Sequence, residues 1–307
     1  MYSIFDLFKV GVGPSSSHTV GPMIAAFRFA KECVDTLRPA DSTHPPISSV
    51  KIRLYGSLAL TGAGHSTDVA ILAGLSGYLP DRTDPSVIQA NSQRIRDSKR
   101  LMLAGQIEIA FDAKEDLIWM YKETLPQHPN AIQFQAFSAS GDCLFEDQYF
   151  STGGGFVYSQ QEFRDRFQQR TDNKNVADLE TAPYPFRSAK ELVEICRKEH
   201  LSIDALIHRN ELVHREEAEI ASKLDLLWDV MSNCIERGCM ASGILPGSLH
   251  IPRRAPMIFH KLAPTDVEIV VPLSSDWLPA RPTTPLLASA TKGTYVDPLR
   301  QLDWVSL

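Results

Sequence analysis

The chain has 307 residues, with 37 acidic against 31 basic side chains for a formal net charge of −6, and five cysteines. That length suggests about two domains, the acidic balance argues against a nucleic-acid partner, which calls for a basic face, and no uncharged apolar run approaches the roughly 18 residues of a membrane span. An odd cysteine count with no signal peptide ahead of Phe5 leads us to expect a reducing cytoplasm.

In chain order, the first pattern is a Gly/Pro turn (Gly11, Gly13, Pro14) followed by Ser15, Ser16, Ser17, His18 and Thr19. Beyond it Ala25, Ala26, Phe29, Ala30, Cys33 and Leu37 recur at three and four residues and predict a helix. Pro22 at an early helical position marks its start. Such a start offers unpaired backbone N–H groups and partial positive charge, which suit a carboxylate or phosphate. Serine and threonine also cap helices, but this many hydroxyls with an imidazole among them exceed what a cap needs. Residues 50–55 alternate Val50, Ile52 and Leu54 with Lys51 and Arg53, predicting a half-buried strand that breaks at Gly56. A short helix is expected over 68–79. Residues 105–111 and 131–137 alternate again, and Ser140-Gly141-Asp142 predicts a hairpin turn into a strand over 144–149. The fold class is therefore α+β, with a mostly antiparallel domain over residues 1–157. Residues 158–187 read as a linker, charged and Gln-rich over 162–181. From Ser188 onward Leu192, Ile195, Cys196, Leu206, Leu212, Leu224, Leu227, Trp228, Met231 and Ile235 keep helical spacing, with Gly238 as the stop. Residues 188–307 thus read as the start of an all-helical domain. Within it, residues 264–296 lack both period and large apolar content and are expected to pack poorly.

His65 lies in Gly64-His65-Ser66-Thr67-Asp68, a loop entering a helix. It is either an ordinary loop histidine or a functional one sharing a pocket with His18, with Asp68 able to orient the ring or cap the helix. Gly153, Gly154 and Gly155 follow a strand and read as a bulge or as a place where backbone approaches a ligand. Asn210 and His214 share a helix face at four-residue spacing, which for His214 reads as solvated. Arg253 and Arg254 suit anion binding or ordinary surface charge equally. Ser17 and the adjacent His18 are not expected to form a nucleophile–base pair, since neighbouring side chains on a helix start point apart. No nucleophile elbow Gly-x-Ser-x-Gly is present, and Gly11-x-Gly13 lacks the third glycine of a dinucleotide fingerprint. Cys33, Cys143 and Cys196 stand alone; Cys234 and Cys239 lack the neighbouring cysteines of an iron–sulfur site. No metal ligand is assigned.

Phe5-Asp6-Leu7-Phe8-Lys9-Val10-Gly11, followed by Gly13-Pro14-Ser15-Ser16-Ser17-His18-Thr19, resembles the opening of the iron–sulfur-dependent, bacterial-type L-serine dehydratases (L-serine ammonia-lyases). Tyr55-Gly56-Ser57-Leu58-Ala59-Leu60-Thr61-Gly62 with Gly64-His65 and Thr67-Asp68 resembles the second motif of that family, and Tyr149, Ser151, the three glycines and Phe156 the third. Pro183-Tyr184-Pro185-Phe186 with Ser188, Asn210-Glu211, Leu245-Pro246-Gly247 and Pro252-Arg253-Arg254-Ala255 continue the resemblance in order. Leu302-Asp303-Trp304-Val305 resembles the segment that enters the helical catalytic core. The resemblance implies β-elimination of L-serine to pyruvate and ammonia, within amino-acid catabolism and gluconeogenesis, by a cytoplasmic homodimer. It also implies a 4Fe-4S cluster, one iron acting as Lewis acid on the serine hydroxyl. Ser15, Ser16, Ser17 and Thr19 would hold the substrate carboxylate; Ser151, Gly153, Gly154, Gly155 and Asn210 would line the pocket. His65 would be the base, with His18 assisting. In the family the cluster cysteines lie beyond the point this chain reaches, so the chain alone is expected to be inactive. The alternative is a non-catalytic amino-acid-binding module, because the first domain of the family resembles regulatory domains attached to some phosphoglycerate dehydrogenases.

Overall fold

In the computed structural model the described residues are 3–37, 45–171, 182–245, 250–262 and 303–306. A one-turn helix α1 (Ile4–Leu7) and strand β1 (Lys9–Val12) lead to a π-helical turn (Ser16–Val20) that opens into helix α2 (Gly21–Leu37). Strand β2 (Ser49–Tyr55) runs into α3 (Gly56–Thr61), a 3-10 turn (Gly62–His65) and α4 (Thr67–Leu75), followed by α5 (Pro85–Ser98). Strands β3 (Arg100–Leu103) and β4 (Ile107–Ala110) pair only with each other. Strands β5 (Leu117–Met120), β6 (Asn130–Phe137), β7 (Cys143–Gly153) and β8 (Phe156–Ser159) join β2 in a sheet of order β5-β2-β6-β7-β8. β5 runs parallel to β2 and the remaining pairings are antiparallel, so the sheet is mostly antiparallel as expected. Helices α6 (Gln160–Thr171), α7 (Ala189–Glu199), α8 (Ile203–Glu211), α9 (Glu217–Met240) and α10 (Ala255–Leu262) follow. Strand β9 (Asp303–Ser306) then pairs antiparallel with β1. No helix among the described residues is long and apolar enough to cross a membrane.

The period-two pattern of β2 decides the layering. Val50, Ile52 and Leu54 are fully buried against Ile132, Phe134 and Ala136 of β6 and against the apolar stripe of α2. Phe29 of α2 stacks on Phe134 with ring centroids 4.9 Å apart. Cys33 lies in the same core, as a small hydrophobe. On the opposite face Arg53 donates to Gln135, and Gln133 and Gln135 both donate to Glu146, while Tyr55, Ala131 and Phe150 form a second buried cluster at one end. α4, mostly apolar, packs against α2 and α5 and adds Ile71, Leu72 and Leu75 to the common core. α4 approaches α2 so closely that a Cβ on Gly74 would stand 2.2 Å from the Met23 carbonyl oxygen.

The helical part is tied to the N-terminus by one buried carboxylate. Glu211, 3% exposed at the end of α8, accepts from the Ile4 N–H (2.8 Å) and Ser3 Oγ (2.9 Å) and pairs with Arg215 at 2.8 Å. Three donors compensate its desolvation. The Phe5 ring lies between the cations of Arg215 and Lys223, at 5.2 and 5.3 Å.

Several expected boundaries move. The helix read over 68–79 ends at Leu75, because Gly77 turns left-handed (φ +92°), its N–H bonding the Gly74 carbonyl and the Tyr78 N–H the Ala73 carbonyl. Residues 105–111 do not join the main sheet; β4 pairs with β3, though Ile109 and Phe111 are buried in the common core. The segment read as a linker from 162 is helical through Thr171, with Phe163 4.9 Å from Phe150; residues 172–181 lie outside the described residues. Gly238 does not stop α9, which runs on to Met240; the left-handed glycine is Gly243, with φ +96°. Residues 303–306, expected to enter a helical core, form a strand. The expectation of poor packing over 264–296 falls outside the described residues.

Gly74→Ala is expected to lower stability by about 2–3 kcal/mol, since backbone cannot yield as a flexible side chain would. Gly64→Ala, where a Cβ meets nothing within 4 Å, serves as control and should stay within about 1 kcal/mol of the unsubstituted chain. Urea midpoints of the two variants check both.

Candidate active site

Two helix starts meet at the site. After β1 the chain turns at Gly13 and Pro14, and Ser15 caps the π-helical turn: its hydroxyl accepts the His18 N–H at 3.2 Å, and its carbonyl accepts the N–H groups of Thr19 and Val20, each at 3.0 Å. Opposite, Ser66 takes a left-handed conformation (φ +54°) between the 3-10 turn and α4. The two loops are stitched by side chains in a reciprocal way. Thr19 Oγ1 donates to the His65 carbonyl at 2.8 Å, and Thr67 Oγ1 donates to the His18 carbonyl. Both threonines are buried, 2% and 0% exposed, so these bonds form away from competing water.

The clamp brings the two imidazoles together, with ring centroids 4.9 Å apart. His65 Nδ1 lies 2.9 Å from the Thr61 carbonyl oxygen. A carbonyl only accepts, so Nδ1 carries a hydrogen, and in the neutral ring Nε2 then presents its lone pair. His18 is held at both nitrogens: Nδ1 is 2.9 Å from Ser17 Oγ and Nε2 is 3.1 Å from Ser57 Oγ. Burial, and then the neighbouring His65, hold His18 below the usual histidine value, while the Ser57 contact acts in the opposite sense. His18 is therefore neutral at pH 7.

The expectation that Ser17 and His18 point apart is corrected. The segment is a π turn rather than an α start, and its wider winding folds the Ser17 hydroxyl back onto the adjacent ring. Asp68 neither orients His65 nor caps α4; it pairs with Arg96 of α5. Ser151, 1% exposed, stands against the start of α2, where a Cβ on Gly21 would lie 1.9 Å from its hydroxyl oxygen. That hydroxyl has no hydrogen-bond partner among the described residues. Gly153, Gly154 and Gly155 all have positive φ (97°, 59° and 75°) and form the irregular turn between β7 and β8. Gly155 packs on Lys9 and Val20, the strand and turn that deliver residues 15–19. Asn210 is not at the histidine pair: its Oδ1 accepts the Tyr184 N–H and its Nδ2 donates to the Tyr184 carbonyl, both at 2.9 Å. His214 is exposed, as read. Ser57 and Thr67 were not singled out from the sequence. Each is a small hydroxylated residue in a helix start, and only the approach of residues 15–19 from a distant part of the chain gives it a role.

A cavity of about 430 Å³ opens beside β1, lined by Val10, Arg82, Asp84 and Arg237 among others, and takes in none of the expected site residues. The histidine pair lies outside it.

An iron–sulfur cluster needs several thiolates at one place. None of the five cysteines forms a disulfide; Cys33, Cys196, Cys234 and Cys239 are buried and Cys143 is exposed. Burial pushes the Cys33 thiol up to about 12, whereas a metal ligand must be deprotonated. Among the described residues no three of His, Cys, Asp and Glu group so as to hold a metal ion. These residues do not fit a cluster.

Residues 3–162 match the serine dehydratase beta chain family. The chain is 40% identical to the L-serine dehydratase of Streptomyces coelicolor over 261 residues, covering 85% of this chain and 54% of that protein. It is 37% identical to L-serine dehydratase 2 of Escherichia coli over 280 residues (91% and 58%), and 32% identical to the L-serine dehydratase of Haemophilus influenzae over 308 residues (100% and 59%). The chain spans about half the length of the curated relatives it matches.

Thr19→Val and Thr67→Val each remove a donor from a half-buried carbonyl and are expected to cost about 1–2 kcal/mol. Because both bonds close the same gap, the double variant should cost less than the sum, and denaturant unfolding of the four proteins reads the coupling. His18 should titrate below about 6.5 in an NMR pH series. The folded state then binds fewer protons than the unfolded state, so stability falls as pH drops from about 6.5 through the folded value. His18→Gln should shallow that fall; His128, also lowered by burial, keeps a remainder.

Proposed function

The chain belongs to the serine dehydratase beta chain family, and from that premise we propose that its site takes L-serine, for β-elimination to pyruvate and ammonia. The observation that carries this reading is the imidazole pair at 4.9 Å, bordered by the hydroxyl-rich start of α2. In this reading the hydroxyls of Ser15, Ser16 and Ser17 and the N–H groups at the helix start hold the substrate carboxylate, helped by the local positive potential. Thr19 acts differently from the expectation, as a clamp. Its hydroxyl donates to the His65 carbonyl, which fixes the base loop. His65 Nε2 receives the Cα proton, because its Nδ1 is already committed to the Thr61 carbonyl. His18 stays neutral beside it, so the pair holds the one proton that is moved. Departure of hydroxide needs an electrophile, and we assign that role to no described residue.

The placement of the cysteines favours a second reading, in which this chain recognises the amino acid without turning it over. Both readings place L-serine at the histidine pair, and pyruvate formation separates them. We expect the chain, purified anaerobically and supplied with iron and sulfide, to bind L-serine with changes in the ring signals of His18 and His65 and to form no pyruvate. Unchanged ring signals at millimolar L-serine would sink the proposal that this site takes the amino acid. A brown chromophore with pyruvate formation would show that thiols of this chain are ligands after all.

A further inference from the structure

Ser57 sits at the start of α3 with its backbone fully committed: its N–H donates to the Pro129 carbonyl and its own carbonyl accepts Thr61 Oγ1, each at 2.9 Å. Only its side chain is free to turn, and that side chain lies 3.1 Å from His18 Nε2. A serine hydroxyl carries one hydrogen and two lone pairs, so Ser15 Oγ, which accepts the His18 N–H, can either donate to Ser17 Oγ at 3.4 Å or accept from it. His18 Nδ1 lies 2.9 Å from Ser17 Oγ. A neutral imidazole carries one hydrogen, so two arrangements satisfy the ring: Ser17 donates to Nδ1 and Nε2–H donates to Ser57 Oγ, or Ser57 donates to Nε2 and Nδ1–H donates to Ser17 Oγ. In the first arrangement the Ser57 hydroxyl accepts from the ring and keeps a proton to give.

We propose that Ser57 is a substrate-contacting residue that fixes His18 in the Nε2–H form and turns its own proton toward the carboxylate of the bound amino acid. The identity of that ligand rests on the functional reading above; the tautomer does not. Ser57 thereby extends the anion-binding set from the start of α2 to the start of α3, so that the two helix starts grip the carboxylate from two sides. Ser17 and Ser57 also make His18 a fixed link between them rather than a mobile base, which leaves proton abstraction to His65.

Long-range ¹H–¹⁵N spectra of the histidine-labelled full chain read the tautomer directly, and L-serine is the probe for binding. The unsubstituted chain should show His18 as Nε2–H and His65 as Nδ1–H. Ser57→Ala should mix the two His18 forms while leaving His65 unchanged, and should weaken L-serine binding about tenfold. Ser57→Thr, which keeps the hydroxyl, should restore both. His18 as Nδ1–H in the unsubstituted chain overturns the proposal before any variant is made, as does a Ser57→Ala chain with unaltered tautomer and affinity. A chain that does not bind L-serine at all defeats the functional reading and the carboxylate contact with it, while the tautomer comparison still decides whether Ser57 sets His18.

Discussion

Each of two buried threonine hydroxyls reaches across a gap to the carbonyl of the other loop's histidine, and the site depends on this crossing. The residues involved are 46 and 49 positions apart in sequence, so neither loop positions itself. Thr19 lies in the π turn and Thr67 at the start of α4, and each bond gives the other loop's histidine carbonyl a side-chain donor. Because the bonds are to backbone, neither uses a ring nitrogen of His18 or His65. Rings that would drift independently on two surface loops are held within contact of each other.

Around that clamp the protein spends its small residues where elements must come close. Gly21 leaves room for Ser151, Gly155 leaves room for Lys9 and Val20, and Gly74 lets α4 lie on α2. These three approaches fix the start of α2 from the β7–β8 turn on one side and α4 on the other. The strand that feeds the site, β1, is in turn held through α1 by Glu211 of the helical part. Asn210 beside it is committed to Tyr184, so this adjacent pair works as a double latch of backbone groups rather than as a pocket wall. The thiols contribute packing, mostly in the interior, and are scattered over α2, β7, α7 and α9.

Much of the α+β architecture was legible because it follows from local period. The alternation of Val50, Ile52 and Leu54 and the three-and-four spacing from Ala25 to Leu37 each need only one buried face to become a strand and a helix. The stops were less legible, since a glycine such as Gly238 ends a helix only if the chain turns left-handed there, which neighbouring packing decides. Helix α6 was missed because it is charged and Gln-rich, and its contact between Phe163 and Phe150 is invisible to a composition reading. Strands β3 and β4 alternate like members of the sheet, yet their partner is each other; pairing is a property of two segments and no single one encodes it.

By itself, the sequence determined which groups were available: a hydroxyl-rich helix start, two histidines in Gly-flanked loops, three consecutive glycines, and cysteines with no metal-site spacing. It also determined the family, through motifs kept in order along the chain. Only the tertiary structure decided that His18 and His65 touch, that Ser17 folds onto the ring beside it, that Ser57 rather than Asn210 reaches a histidine, and that Asp68 turns away to Arg96. The physical reason is range. Propensity and period act over a turn of helix or a pleat of strand, whereas a hydrogen bond between residues 39 positions apart, such as that of His18 with Ser57, exists only after the core has closed around both.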